Sequence, residues 1–220
     1  MGHRSQADIF FSNEERTEIE AAVRDAESRT VGEIAVMVVD ASDEYLHADT
    51  IGGVLFSGAL SFFGAVAFFH SAIVPFIALT ALLFFPCRMF VRSFPFIKAE
   101  FISPRKKRDA VRIRALRAFY EKGLYRTQAQ TGVLLFLSLM EHTVWVLADK
   151  GIYEKIRQEQ LDRFAATVSQ GVREGRASRA LRQAITEAGT LLAEHFPKTP
   201  GDKNELSDSI HHETRSIDRK

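Results

Sequence analysis

The sequence predicts an α/β fold: a three-layer α/β/α sandwich around a small mixed sheet, interrupted by a two-helix transmembrane hairpin. Three observations predict it. Residues 33–40, EIAVMVVD, form a β-branched run after a helix-period segment. Two more strand-like runs, 131–140 and 143–149, come late in the chain, and two helix-period segments follow them. Between these arms, residues 50–87 contain no Asp, Glu, Lys or Arg and hold eight of the chain's eighteen Phe. An apolar segment at a terminus would anchor a domain, whereas one in the middle interrupts it.

The first helix opens at Ser12-Asn13-Glu14-Glu15, a capping box, and runs to about residue 28. Ile19, Ala22, Val23 and Ala26 recur at i, i+3, i+4, i+7 and give it one buried face. Gly32 then precedes the 33–40 strand, which is apolar enough to lie at the centre of a sheet.

A bilayer core is about 30 Å thick, and a helix rises about 1.5 Å per residue. The 38 residues from 50 to 87 would reach roughly 57 Å as one helix, so two passes fit better. Residues 51–69 and 72–90 are the two spans, with His70 and Ser71 in the turn and Pro75 in the first turn of the second helix. Gly52, Gly53, Ser57, Gly58, Ala59, Ser61, Gly64 and Ala65 give the first span a small-residue face, which lets membrane helices approach closely. Residues 1–20 are polar and lack the apolar core of a secretory leader.

Two crossings return the chain to the side it left. Arg88, Arg92 and Lys98, then Arg105, Lys106, Lys107, Arg108, Arg112, Arg114 and Arg117, follow the second span, whereas Asp40, Asp43, Glu44 and Asp49 precede the first. Lys/Arg bias sets topology and acidic residues count for little. The expectation is a multi-pass protein of the cell inner (cytoplasmic) membrane, with both flanks in the cytoplasm.

After the hairpin a helix spans about 105–122, with Ile113, Leu116, Phe119 and Tyr120 on its apolar face and Gly123 as its stop. The strands 131–140 and 143–149 pair antiparallel about a Glu141-His142 turn. Helices follow at about 153–171 and 177–196. Beyond Pro197 the chain is polar and is expected to lack fixed structure. The domain layout is therefore 8–49 and 99–197 as two parts of one sandwich, 50–98 as the hairpin, and 198–220 as a tail. Neither arm can fold alone, since the first has one helix and one strand. If strands one and two are parallel, the hairpin and the basic helix form the crossover between them.

Net charge is +1, which gives no general case for nucleic-acid binding, and no stacking aromatics or known nucleic-acid fold accompany the basic cluster. Cys87 is the lone cysteine, so no intrachain disulfide forms, and its apolar setting suits a small buried hydrophobe. There is no phosphate-cradling glycine loop, HExxH, GxSxG or Cys/His metal spacing. Strand geometry sorts the carboxylates. Asp40 and the Glu141-His142 turn fall at one end of the sheet, and Glu33, Thr131 and Asp149 at the other. Glu33 with Asp149, near Gly151, is the candidate pair for metal or phosphate chemistry, with Ca²⁺ or Mg²⁺ as the cation, because hard cations want clustered oxygens. His142 stands on a turn without an evident partner, and Trp145 reads as a packing residue. Arg105, Lys106, Lys107, Arg108 and Arg112 form a candidate membrane-surface site, each cation near an anionic leaflet contributing about 1 kcal/mol.

The segments 11–16 (FSNEER), 30–39 (TVGEIAVMVV), 131–139 (TGVLLFLSL) and 144–152 (VWVLADKGI) together resemble the TPM domain family. The closing Asn204-Glu205-Leu206 is similar to tails of its membrane members. The resemblance covers about 8–196, less the apolar insert. It implies an α/β/α fold, in a family where some members are acid phosphatases, some bind divalent metal and others act through protein partners in membrane complexes. Many relatives carry glycine–aspartate–tyrosine before the last helix, where this chain has Gly175-Arg176-Ala177. An acid has become a base, which weakens the phosphatase reading. The expectation is a membrane-anchored interaction module, with the lipid bilayer and a membrane protein as partners and no nucleic acid. A metal-dependent phosphatase is the alternative.

Overall fold

The computed structural model describes residues 6–69, 73–127, 129–199 and 209–213. Two compact units emerge: residues up to Ser42 together with those from Arg108 onward, and Asp43–Lys107.

The first unit is built on a four-stranded sheet of β1 (Glu33–Val39), β2 (Gly132–Ser138), β3 (Thr143–Ala148) and β4 (His211–Glu213), in the order β3-β2-β1-β4. β1 and β2 run parallel from Glu33↔Gly132 to Val39↔Ser138, and β3 returns antiparallel against β2. Every residue of β1 and β2 is buried, as central strands covered on both faces must be. Alternation sorts their side chains into two cores. Ile34, Val36, Val38, Val133, Leu135 and Leu137 pack with residues of α2 (Asn13–Glu27), α8 (Gln158–Arg173) and α9 (Ala177–His195). Ala35, Met37, Val39, Leu134 and Phe136 pack on the other face against α6 (Pro104–Glu121). The result is a mixed-sheet α/β/α sandwich.

The capping box of α2 is complete. Glu15 N–H donates to Ser12 Oγ at 3.1 Å, and Ser12 N–H donates to Glu15 Oε2 at 2.9 Å. α9 lies so close to α2 that a Cβ added at Gly189 would stand 2.5 Å from that of Ala26.

Four local features depart from the sequence reading. A short helix, α1 (Gln6–Phe10), precedes α2, and Asp40 Oδ1 accepts from Ala7 N–H at its start (2.6 Å). The apolar face of α6 is Val111, Ala115, Ala118 and Phe119, while Ile113, Leu116 and Tyr120 are exposed. Both sets recur at helical spacing, so periodicity alone could not choose between them. The helix expected at 153–171 is two pieces, α7 (Lys150–Tyr153) and α8. Asp149 caps α7, and burial of both Ile152 and Ile156 turns the chain before α8 begins. Most of the polar tail, with Asn204-Glu205-Leu206, lies outside the described residues, but within it β4 pairs parallel with β1 from Met37↔His211.

The second unit contains α3 (Leu46–Phe69), α4 (Ile73–Ser93) and α5 (Pro95–Glu100). Leu46–Phe68 and Ile73–Ser93 are each long and apolar enough to cross a membrane. The small residues of α3 form the seam with α4. A Cβ at Gly53 would stand 2.9 Å from Arg88 Cβ, one at Gly52 2.9 Å from Val91, and one at Gly64 2.9 Å from Leu79. Ser57, Ser61 and Ala65 are buried on the same side, whereas a Cβ at Gly58 would meet nothing. The His70-Ser71 turn lies outside the described residues.

Candidate functional site

Parallel pairing of β1 with β2 puts Glu33 opposite Gly132, and Asp149 N–H donates to Gly132 O at 2.9 Å from the other side. Glu33, Gly132 and Asp149 therefore stand on one rung, with a residue lacking a side chain between two acids. Two strand spacings separate the acids' backbones by roughly 9–10 Å. Glu33 is buried, and Asp149 is half-buried. Asp149 Oδ1 accepts from Lys150 N–H at 2.7 Å, which caps α7. The backbone closes tightly over this end. A Cβ at Gly132 would stand 2.5 Å from Leu124 O, and one at Gly151 2.7 Å from Gln130 O and 2.9 Å from Ala129 O. The TG and DKG stretches thus need glycine for close backbone approach. Among the described residues, no group of three or more His, Cys, Asp or Glu is placed to hold a metal ion.

The opposite end of the sheet holds a network that sequence reasoning missed. Glu141, read as a turn residue, is 6 % exposed. Its Oε1 accepts from Ser42 N–H at 2.9 Å, and its Oε2 accepts from the Ser138 hydroxyl. Ser42 and Ser138 hydroxyls are 2.8 Å apart. The carboxylate ties Ser42, the last residue of the first unit before the insertion, to the end of β2. The signal lay in Ser138 and Glu141 standing three residues apart at a strand end, but their joint target is 96 and 99 residues away. Asp40, at this same end, holds α1. His142 is exposed, with a left-handed φ of 49° that ends the turn into β3, and Trp145 packs half-buried against the second core.

The basic residues Arg105, Lys106, Arg108 and Arg112 are exposed on α6, and Lys107 is half-buried. Arg114 is engaged with Glu121 at 3.2 Å. Before α9, Gly175 has a left-handed φ of 70°, and Arg176 occupies the N-cap without a side-chain cap bond. Arg176 instead pairs with Glu174. A hydrogen bond from Gln170 and the neighbouring Arg176 guanidinium hold the Glu174 carboxyl below the usual carboxylate range.

Comparison with known proteins adds two findings. Residues 102–191 match the TPM domain, which spans α6 through most of α9. The chain is similar to the NMR structure of the BA42 protein from the psychrophilic bacterium Bizionia argentinensis, with a TM-score of 0.59 and 22 % identity over 93 % of this chain and 96 % of that one. That likeness concerns the fold. Among curated proteins none matches the chain.

Proposed function

We propose that this chain belongs to the TPM domain family and is a multi-pass protein of the cell inner (cytoplasmic) membrane that holds its TPM domain in the cytoplasm as a non-enzymatic interaction module. The observation that carries the membrane half of this reading is the surface of α3 and α4. Phe63, Leu82 and Phe85 are 69–71 % exposed, within a surface of many other bare aliphatic and aromatic side chains. Water penalises such a surface by about 25 cal/mol per Å², whereas acyl chains do not. The cations that follow α4 favour cytoplasmic flanks. The module half is supported by the carboxylates at both ends of the sheet. Asp40, Asp149 and Glu141 each accept backbone amides that hold the chain in place.

The test of topology is a reporter at each terminus of the full-length protein in intact cells. Both are expected to be protected until the membrane is opened, and reporters on opposite faces would overturn the reading. A divalent-metal phosphatase using Glu33 and Asp149 is the second reading, favoured by their sharing one rung beside Gly132. Purified full-length protein in detergent, assayed on a phosphomonoester with Ca²⁺ and Mg²⁺ titrated, separates the two. Metal-dependent turnover lost in Asp149→Ala but kept in Asp40→Ala would replace the module reading with the enzyme.

A further inference from the structure

α6 has two apolar faces, and the sheet uses one. Val111, Ala115, Ala118 and Phe119 seat the helix on the sheet. Ile113, Leu116 and Tyr120, spaced i, i+3, i+7, point away from it and are 67 %, 48 % and 57 % exposed. At about 100° per residue, Arg105 and Arg112 run along one side of this stripe and Lys106 and Arg117 along the other. The helix carries seven Lys and Arg against Glu121 and Asp109, the latter on the line of the stripe one turn before Ile113. A merely solvated face would not need three large apolar side chains in a row between its cations.

Apolar groups flanked by long cationic side chains are the pattern of a helix lying in a membrane interface, the stripe at the acyl boundary and the charges on lipid phosphates. A protein partner fits less well, because interface cores are depleted in charge and this stripe is only three side chains wide. The chain also tethers α6 to the end of α4. Only ten residues separate Ser93, the end of α4, from Pro104, which is at most about 40 Å of extended chain. We infer that the outer face of α6 docks on an anionic lipid surface, with Ile113, Leu116 and Tyr120 at the acyl boundary and Arg105, Arg112, Lys106 and Arg117 on the phosphates. This rests on the membrane-embedded reading of α3 and α4.

The experiment uses the full-length chain with Cys87→Ala, reconstituted one copy per nanodisc. An environment-sensitive fluorophore is placed at Leu116→Cys, at Arg179→Cys on the exposed side of α9, and at Phe85→Cys on α4. In nanodiscs containing phosphatidylglycerol, the label at 116 is expected to shift to the blue and to be quenched by a lipid-borne quencher. Both signals should fade in pure phosphatidylcholine, and at about 0.5 M salt, where the Debye length is roughly 4 Å. The label at 179 should stay aqueous throughout. Arg105→Gln, Arg112→Gln and Arg117→Gln together should lower docking on the order of a hundredfold, at about 1 kcal/mol per cation. An aqueous label at 116 in anionic nanodiscs overturns the inference. So does a shift at 116 that is indifferent to headgroup charge, or one that appears only when two copies share a disc. The label at 85 separates the two failures. If it reports lipid depth while 116 stays in water, only the docking is lost; if 85 is also in water, the membrane reading falls.

Discussion

Asp49 and Lys98 form a buried ion pair, Oδ1 to Nζ 2.8 Å, with side chains 1 % and 8 % exposed. Asp49 lies in the first turn of α3, where the helix dipole favours an anion, and Lys98 lies on α5 after the return through α4. Lys98 Nζ also donates to Glu44 O. The pair therefore joins the two ends of the hairpin. Breaking a buried pair strands the remaining charge, which costs about 3–5 kcal/mol, whereas removing both charges together costs much less. Lys98→Met should lower the thermal midpoint of the full-length protein in detergent, followed by helical circular dichroism. The double variant Asp49→Asn/Lys98→Met should recover much of the loss. Equal losses in single and double variants would show that the pair contributes packing alone.

The Glu141 carboxylate predicts a second stability effect. Both of its oxygens accept, from Ser42 N–H and the Ser138 hydroxyl. Glu141→Ala leaves the buried Ser138 hydroxyl and the half-buried Ser42 N–H without that acceptor, at about 1–3 kcal/mol. Urea unfolding of the full-length protein should register this loss, and amide exchange at Ser42 should speed up. Glu141→Gln keeps an acceptor oxygen and should cost less. An unchanged exchange rate at Ser42 in the alanine variant would dismiss the tether.

Glycine positions offer a graded test of close approach. An alanine Cβ at Gly132 or Gly151 would press on backbone carbonyl oxygens that cannot turn aside, so each substitution should destabilise by about 1–3 kcal/mol. Gly171→Ala meets Ala180 at the crossing of α8 with α9 and belongs in the same class. Gly58→Ala has open space and should be neutral or slightly stabilising, since alanine favours helix by about 1 kcal/mol. Thermal midpoints of the four variants would rank them.

These residues also show what the sequence could reveal. The capping box of α2, the three main strands and the two apolar helices were legible because each is a local pattern. Ser12 needs only Glu15, and a buried strand needs only its own β-branched run. Misreadings arose where a distant partner decided the outcome. Ile113 and Val111 sit on stripes of similar periodicity, and only the sheet beneath α6 chose Val111. Asp49 and Lys98 read as flanking charges because their pairing spans the whole hairpin. Glu141 read as a turn because its amide partner, Ser42, is 99 residues away. β4, three residues within a polar tail, is set by an open edge of β1 that its own composition does not announce.

The Glu174 carboxyl gives a prediction with a defined sign. Its hydrogen bond from Gln170, and then the Arg176 guanidinium, favour the ionised form and lower its pKa in the folded chain. A group with a depressed folded pKa contributes stability that is fully present above its unfolded value and is lost as pH falls through the folded value. The carboxyl lies at the surface, so solvent screening keeps that contribution small. Carbon-detected NMR titration should therefore find Glu174 below the ordinary carboxylate range in the native chain. Gln170→Ala and Arg176→Ala should each move it upward, since the first removes the largest single cause and the second removes both a hydrogen bond and a neighbouring positive charge. Acid titration of stability should show the variants converging on the native chain as pH drops below the folded pKa, since the interaction is gone from all three. A Glu174 titration left unmoved by both substitutions would show that neither partner sets the charge at the start of α9.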